Sequence, residues 1–218
     1  MVPAKTQHLD QDLDDQIEAG VELLRQGRVV AFPTDTLYGL GADAFNESAV
    51  ELVFEAKGRP HGMPLPLLLP DGDWLSLIAS DVPPLALRLA ERFWPGPLTL
   101  VLRAGPRVPA LVTARGWTVA ARVPAHVVPR ELARRLGSPI TGTSANRSGG
   151  PDPRSPEEVR RSLGDAVDLI IQGGASPTGQ ASTVIDITSA VPRLLRVGAL
   201  PISAIQEQCG TIVHGPST

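Results

Sequence analysis

Apolar residues recur through residues 12–26 (DLDDQIEAGVELLRQ) at Leu13, Ile17, Val21 and Leu24, and the pattern stops before Gly27. Steps of three and four place them on one stripe, so the spacing predicts an amphipathic helix closed by a glycine. RVVAF at 28–32 then reads as a buried strand. Asn46 caps a second helix running to about Lys57, with Val50, Val53 and Phe54 inward and Gly58 at its end. A strand follows at 65–69, where Pro66 puts the first residues at an edge or outside the ladder.

Pro83 and Pro84 open a helix through Phe93, and the turn signal PGP leads to the strand LTLVL at 98–102. WTVAARV, 117–123, alternates like a strand; a helix at 129–136 and a strand at 139–143 come next. Ser155, Pro156 and Glu158 mark another helix start, with short strands at 167–171, 183–187 and 193–197. Strands and helices alternate first and strands cluster late. The pattern predicts one α/β domain over residues 12–207, built on a twisted, mixed open sheet flanked by helices, with tails at 1–11 and 208–218.

A net charge of -3 over 218 residues argues against a surface devoted to nucleic acid, although a local basic cleft is compatible with it. Cys209 stands alone, which rules out an internal disulfide. With no export signal and no long apolar span, a cytoplasmic protein without a membrane segment is expected.

The chemistry concentrates in EAKGRPHGMPLPLLL, 55–69. Lys57 follows Val50 by seven positions and Val53 by four, so it projects from the apolar side of its helix. Alone it is equally explained as a cation at a helix C-terminus. Arg59, beyond the glycine and held by Pro60, brings a second cation close, an arrangement that repels unless an anion lies between. In WTVAARV, alternation sends Thr118, Ala120 and Arg122 to one face. TGTSANRSGG, 141–150, carries small side chains whose hydroxyl and N–H groups can approach phosphate oxygens, or simply form a turn.

Taken in order, FPTDTLYGLGADA, KGRP, TSANRSG, STVID and RVG resemble the YrdC family of threonylcarbamoyl-adenylate synthases from about residue 15 to 205. The resemblance implies a YrdC-like domain with a concave basic cleft. It implies joining of L-threonine, bicarbonate and ATP, with Mg²⁺ on the phosphates, into threonylcarbamoyl-AMP and pyrophosphate. Downstream partners are then the tRNA threonylcarbamoyl transferase proteins, with direct tRNA contact left open.

By the same resemblance, Lys57, Arg59, Ser144 and Asn146 form the catalytic signature and also line the nucleotide site. Thr36, Arg122, Gly142 and Ser182 hold threonine or its carbamate, while Met63, Thr118 and Arg196 join the nucleotide side. On this reading Lys57 and Arg59 point at a polyanion in the cleft, and Arg122 grips a carboxylate. Two positions depart from the pattern: Leu68 stands where some relatives have histidine, and Asp152 where many have serine. Because the sequence ends soon after the core domain, the longer two-domain architecture of some relatives is not expected.

GLGADA, 39–44, matches a dinucleotide fingerprint formally, but it lies several residues past the strand, and a turn passing close to a ligand explains its glycines better. No Walker-type loop is present, GTSAN lacks the second glycine of a nucleophile elbow, and the four histidines have no metal-site spacing. The competing class is a YrdC-like RNA-binding module without catalysis. A carbamoyl-transfer domain ranks below it, because the accessory zinc-finger and acylphosphatase-like segments are missing.

Overall fold

The computed structural model describes residues 11–174, 176 and 178–214. In chain order its first half comprises α1 (Gln11–Arg25), β1 (Val30–Phe32), β2 (Gly39–Gly41), α2 (Glu47–Lys57), β3 (Leu67–Leu68), α3 (Leu75–Ile78), α4 (Pro84–Phe93) and β4 (Leu98–Arg103). The second half comprises β5 (Thr118–Arg122), α5 (Val127–Leu136), β6 (Ile140–Thr141), β7 (Thr143–Ser144), α6 (Pro156–Leu163), β8 (Leu169–Ile170), β9 (Thr183–Asp186), β10 (Arg193–Arg196), α7 (Ile202–Cys209) and β11 (Val213–His214). Among the described residues no helix is long and apolar enough to cross a membrane.

The capping chemistry of α2 is that expected. Asn46 accepts the Ala49 N–H at its start, and Gly58 ends it in the left-handed region at φ 57°. Val50, Val53 and Phe54 are buried, and so is Lys57 at 2% exposure.

The fold departs from expectation in having two mixed sheets instead of one. A four-stranded sheet runs β7-β2-β1-β8, and a seven-stranded sheet runs β11-β10-β9-β4-β5-β3-β6. The segment expected as one strand at 139–143 is split at Gly142, whose N–H donates to Pro66 O. On one side of it β6 pairs β3; on the other β7 pairs β2. One glycine thus hands the chain from one sheet to the other.

The glycines of GLG are a second correction. They form β2, antiparallel to β1, and a Cβ at Gly39 or Gly41 would lie 2.7 or 2.6 Å from the Phe32 ring. They make room for a core aromatic, not for a ligand. The expected tail from 208 also needs revision in its described part. α7 runs through Cys209 with Ile205 fully buried, and Val213–His214 adds an edge strand parallel to β10. Residues 1–10 and 215–218 of the expected tails lie outside the described residues.

Two apolar clusters hold these layers. The larger joins α2, α4 and α7 to one face of the seven-stranded sheet through residues such as Phe54, Leu89, Ile205, Leu100 and Ile185. The smaller packs α1 and α5 with Val30, Phe32 and Ile171, and includes Leu68 from the larger sheet.

Candidate active site

Strand register divides the seven-stranded sheet into unlike faces. Leu98, Leu100, Leu102, Val119, Ala121 and Ile185 face the larger core. On the opposite face Arg196 lies beside Val184, and Val184 beside Thr99. The β4–β5 register, Leu100 opposite Ala121, brings Arg122 next in that row, with Leu68 beyond it. Thr118, Ala120 and Val184 are only partly buried here. The second face is therefore a floor of small side chains with cations set into it, which is where a polar ligand has room.

Arg122 is 6% exposed and heavily bonded. Its Nε donates to Gly96 O at 2.9 Å, Nη1 to Thr36 Oγ1 at 2.7 Å, and Nη2 to Asp35 Oδ1 at 2.6 Å. Burial pulls its proton affinity down and Asp35 opposes that shift. Removing one partner of a buried pair like this costs about 3–5 kcal/mol, because the other charge is stranded. Thr36 is equally committed: Thr34 donates its hydroxyl to Leu37 O, so the Thr36 hydroxyl donates to Thr34 Oγ1 and keeps only acceptor capacity.

The second cationic centre differs from expectation. Lys57 Nζ donates to Ser144 O at 2.5 Å, Asn146 O at 2.6 Å and Asn146 Oδ1 at 3.2 Å, so its three N–H bonds hold the TSAN segment instead of pointing freely at a ligand. Ser144 Oγ donates to Asn146 Oδ1, and Asn146 Nδ2 to Gly150 O, closing one network around three of the four signature residues. Arg59 donates Nη2 to Pro64 O and leaves a buried Nε without a partner among the described residues. Burial first, then the nearby Arg59 charge, lowers Lys57 to about 8, with Asp152 acting in the other direction.

Arg196 donates Nε to Ser182 O and Nη2 to Ser182 Oγ, both at 3.0 Å, and Ser182 Oγ lies 2.7 Å from Thr99 Oγ1. Arg196 is within electrostatic reach of both Asp152 and Arg122. The Asp152 charge acts on both centres, favouring the protonated form of Lys57 and of Arg196. Three expected positions stand apart from these networks. Thr118 begins β5, four residues from Arg122; Met63 is 46% exposed in a turn; Gly142 packs on Leu68, whose Cγ would lie 2.4 Å from an added Cβ.

Sequence reasoning missed Asp35, Thr34 and Thr99. A buried arginine requires a counter-charge, and that demand alone was the signal for an aspartate nearby. It also missed two bonds from the residues that precede β9: Thr178 Oγ1 donates to Asp35 O, and Gly179 N to Thr36 O. Two surface cavities lie elsewhere, about 420 Å³ by Trp94 and Arg130 and about 740 Å³ by Glu51 and His61. Among the described residues no three His, Cys, Asp or Glu side chains gather to hold a metal ion.

This architecture has clear relatives. The chain belongs to the Sua5–YciO–YrdC family, whose model, described as telomere recombination, matches residues 22–198. It is 44% identical over 93% of its length to a threonylcarbamoyl-AMP synthase of Pyrococcus abyssi, and 42% identical over 91% to one of Bacillus subtilis. It spans 59% and 58% of those proteins. The crystal structure of Pyrococcus abyssi Sua5 complexed with L-threonine superimposes with a TM-score of 0.92 at 42% identity, covering 96% of this chain and 61% of that one.

Proposed function

We propose that the chain makes threonylcarbamoyl-AMP from L-threonine, bicarbonate and ATP, releasing pyrophosphate. The observation that carries this reading is the pair of cationic centres, Lys57 with Arg59 and Arg122 with Arg196, in a chain so similar to synthases of that name. Threonine's amine joins bicarbonate with loss of water to give a carbamate. A carbamate oxygen then bonds to the α-phosphorus of ATP as the bond to pyrophosphate breaks.

Both partners are anions, and two unit charges 4 Å apart repel by about 4 kcal/mol at intermediate dielectric. Fixed cations remove that cost and need no reorganisation during reaction. In this scheme Arg122, oriented by three bonds, takes the amino acid's carboxylate with its remaining N–H groups. The Lys57 network shapes the TSAN segment so that its hydroxyl and N–H groups meet the phosphates, and Arg59 supplies the second charge. Positioning and electrostatics suffice, without a covalent enzyme intermediate. Mg²⁺ arrives with ATP as part of the substrate. Transfer of the threonylcarbamoyl group to tRNA in the cytoplasm by separate transferase proteins completes the proposed role.

The test is direct: incubate the purified chain with ATP, Mg²⁺ and ¹³C-bicarbonate, add L-threonine or L-serine, and weigh the nucleotide product. The labelled threonylcarbamoyl adenylate, with one pyrophosphate per adenylate, is expected with threonine. Its absence alongside tight RNA binding would favour a non-catalytic module.

A further inference from the structure

We propose that Asp35 determines specificity in the amino-acid subsite: its carboxylate receives the substrate's α-ammonium while Arg122 receives the α-carboxylate. The inference rests on the threonine reading above and adds to it a reason for admitting an amino acid and refusing a simple carboxylic acid.

The hydrogen-bond pattern carries the argument. A guanidinium has five N–H bonds, and three of Arg122's are committed to Gly96 O, Thr36 Oγ1 and Asp35 Oδ1. Asp35 places two donors on one oxygen: Oδ1 accepts from Arg122 Nη2 at 2.6 Å and from Ala125 N at 2.9 Å. Its Oδ2 accepts no hydrogen bond from the described residues. A carboxylate present only to balance the arginine gains most from a two-pronged grip that uses both oxygens. Here one oxygen does all the balancing and the other is spare.

The carboxylate is also held in place. Thr178 Oγ1 donates to Asp35 O, and Gly179 N to Thr36 O, so the backbone on the C-terminal side of the side chain is tied down. A group fixed this way loses little freedom on meeting a ligand.

Charge gives the selectivity. The Arg122 and Asp35 side chains are 7% and 16% exposed and together neutral. A lone carboxylate entering beside them leaves an uncompensated negative charge in a place poorly reached by water. A zwitterion leaves none, and its ammonium supplies the donors that Oδ2 lacks. Arg196, the other cation within reach of Arg122, also feels the opposing charge of Asp152.

The experiment is titration calorimetry with two ligands, L-threonine and the analogue in which a hydroxyl replaces the amine. The wild-type chain should prefer threonine by about tenfold or more, as expected for a charge-assisted bond in a dry site. In Asp35→Asn the amide oxygen still serves Arg122 and Ala125 N. Threonine should weaken by about tenfold while the hydroxy acid holds or tightens, since the repelling charge has gone. Equal weakening of both ligands would make Asp35 a counter-ion only, and no change in either would remove it from the subsite; each outcome overturns the proposal. If the variant loses cooperative melting, the wild-type ratio decides, and a preference below about threefold overturns it. Wild-type protein that binds neither ligand refutes the threonine reading itself, whereas threonine binding with the preference unchanged in Asp35→Asn refutes only the role of Asp35.

Discussion

Lys57 and Arg122 bring the same charge into buried parts of one site and are stabilised in different ways. Arg122 meets a carboxylate, Asp35, at 2.6 Å. Lys57 is surrounded by the carbonyl oxygens of Ser144 and Asn146, which offer dipoles and no formal charge. A paired cation is nearly neutral to its surroundings and reads the shape and charge pattern of what approaches. A cation whose hydrogen bonds go to dipoles keeps its attraction for anions, and burial, then the nearby Arg59 charge, lets it lose its proton more easily, down to about 8. In the proposed reaction, selection of the amino acid and attraction of the polyphosphate would be divided between these two centres.

The sharpest way to break this comparison is Lys57→Ala. It removes the charge and the three bonds holding the TSAN segment, so threonine-dependent pyrophosphate release should fall by about 10²–10³-fold or more. Hydrogen exchange at residues 144–148 should rise in the same variant. A rate within tenfold of wild type would show that the dipole-held cation is not the one that matters.

Next in size is Arg122→Lys, which keeps the charge beside Asp35 and loses the fork. The KM for threonine should rise by about 10–100-fold with a smaller change in kcat, measured by initial rates of pyrophosphate release. A fall in kcat alone would place Arg122 on the nucleotide side.

The pH profile separates the centres without mutation. Lys57 has a folded value of about 8, below its ordinary 10.5, so as pH falls through that window the unfolded chain takes up the proton first. Stability should therefore increase as pH rises from about 8 to 10.5, with a contribution of ~3 kcal/mol, before other groups are considered. Activity should move the opposite way, dropping about tenfold per pH unit above 8 as the ammonium is lost. Lys57→Arg should abolish that limb if it retains activity, because its guanidinium stays charged. Urea melts and rates recorded across the same buffers check both signs.

The smallest effect is expected from Thr99→Val, which removes the hydroxyl 2.7 Å from Ser182 Oγ. The loss of about 1 kcal/mol should appear as a few-fold rise in the KM for threonine with melting temperature little changed.

Local features were the most legible in the sequence. Asn46, the Val50–Val53–Phe54 stripe and Gly58 define α2 because capping and periodicity act within a few residues. The same reasoning placed Lys57 on the inward side. Its partners were hidden, because Ser144 and Asn146 lie 87 and 89 residues away in the chain. Asp35 was invisible for a similar reason, since nothing near PTDT announces an arginine at position 122. The two sheets were missed because β6 and β7 are two residues each, too short for a period-two pattern to show the break at Gly142.

By itself, the sequence determined the positions of α1, α2, α4 and α6, though not α3 or α7, the alternation of β5 that sends Thr118 and Arg122 to one face, and the family motifs in their order. Those depend on short-range geometry and on residue chemistry. Only the tertiary structure decided that the Lys57 ammonium is spent on the TSAN segment, that Arg122 has Asp35 as its counter-charge, and that small residues and arginines share the open face of the larger sheet. Strand register and the burial of charge set those outcomes, and both arise when distant parts of the chain come together and water is excluded between them.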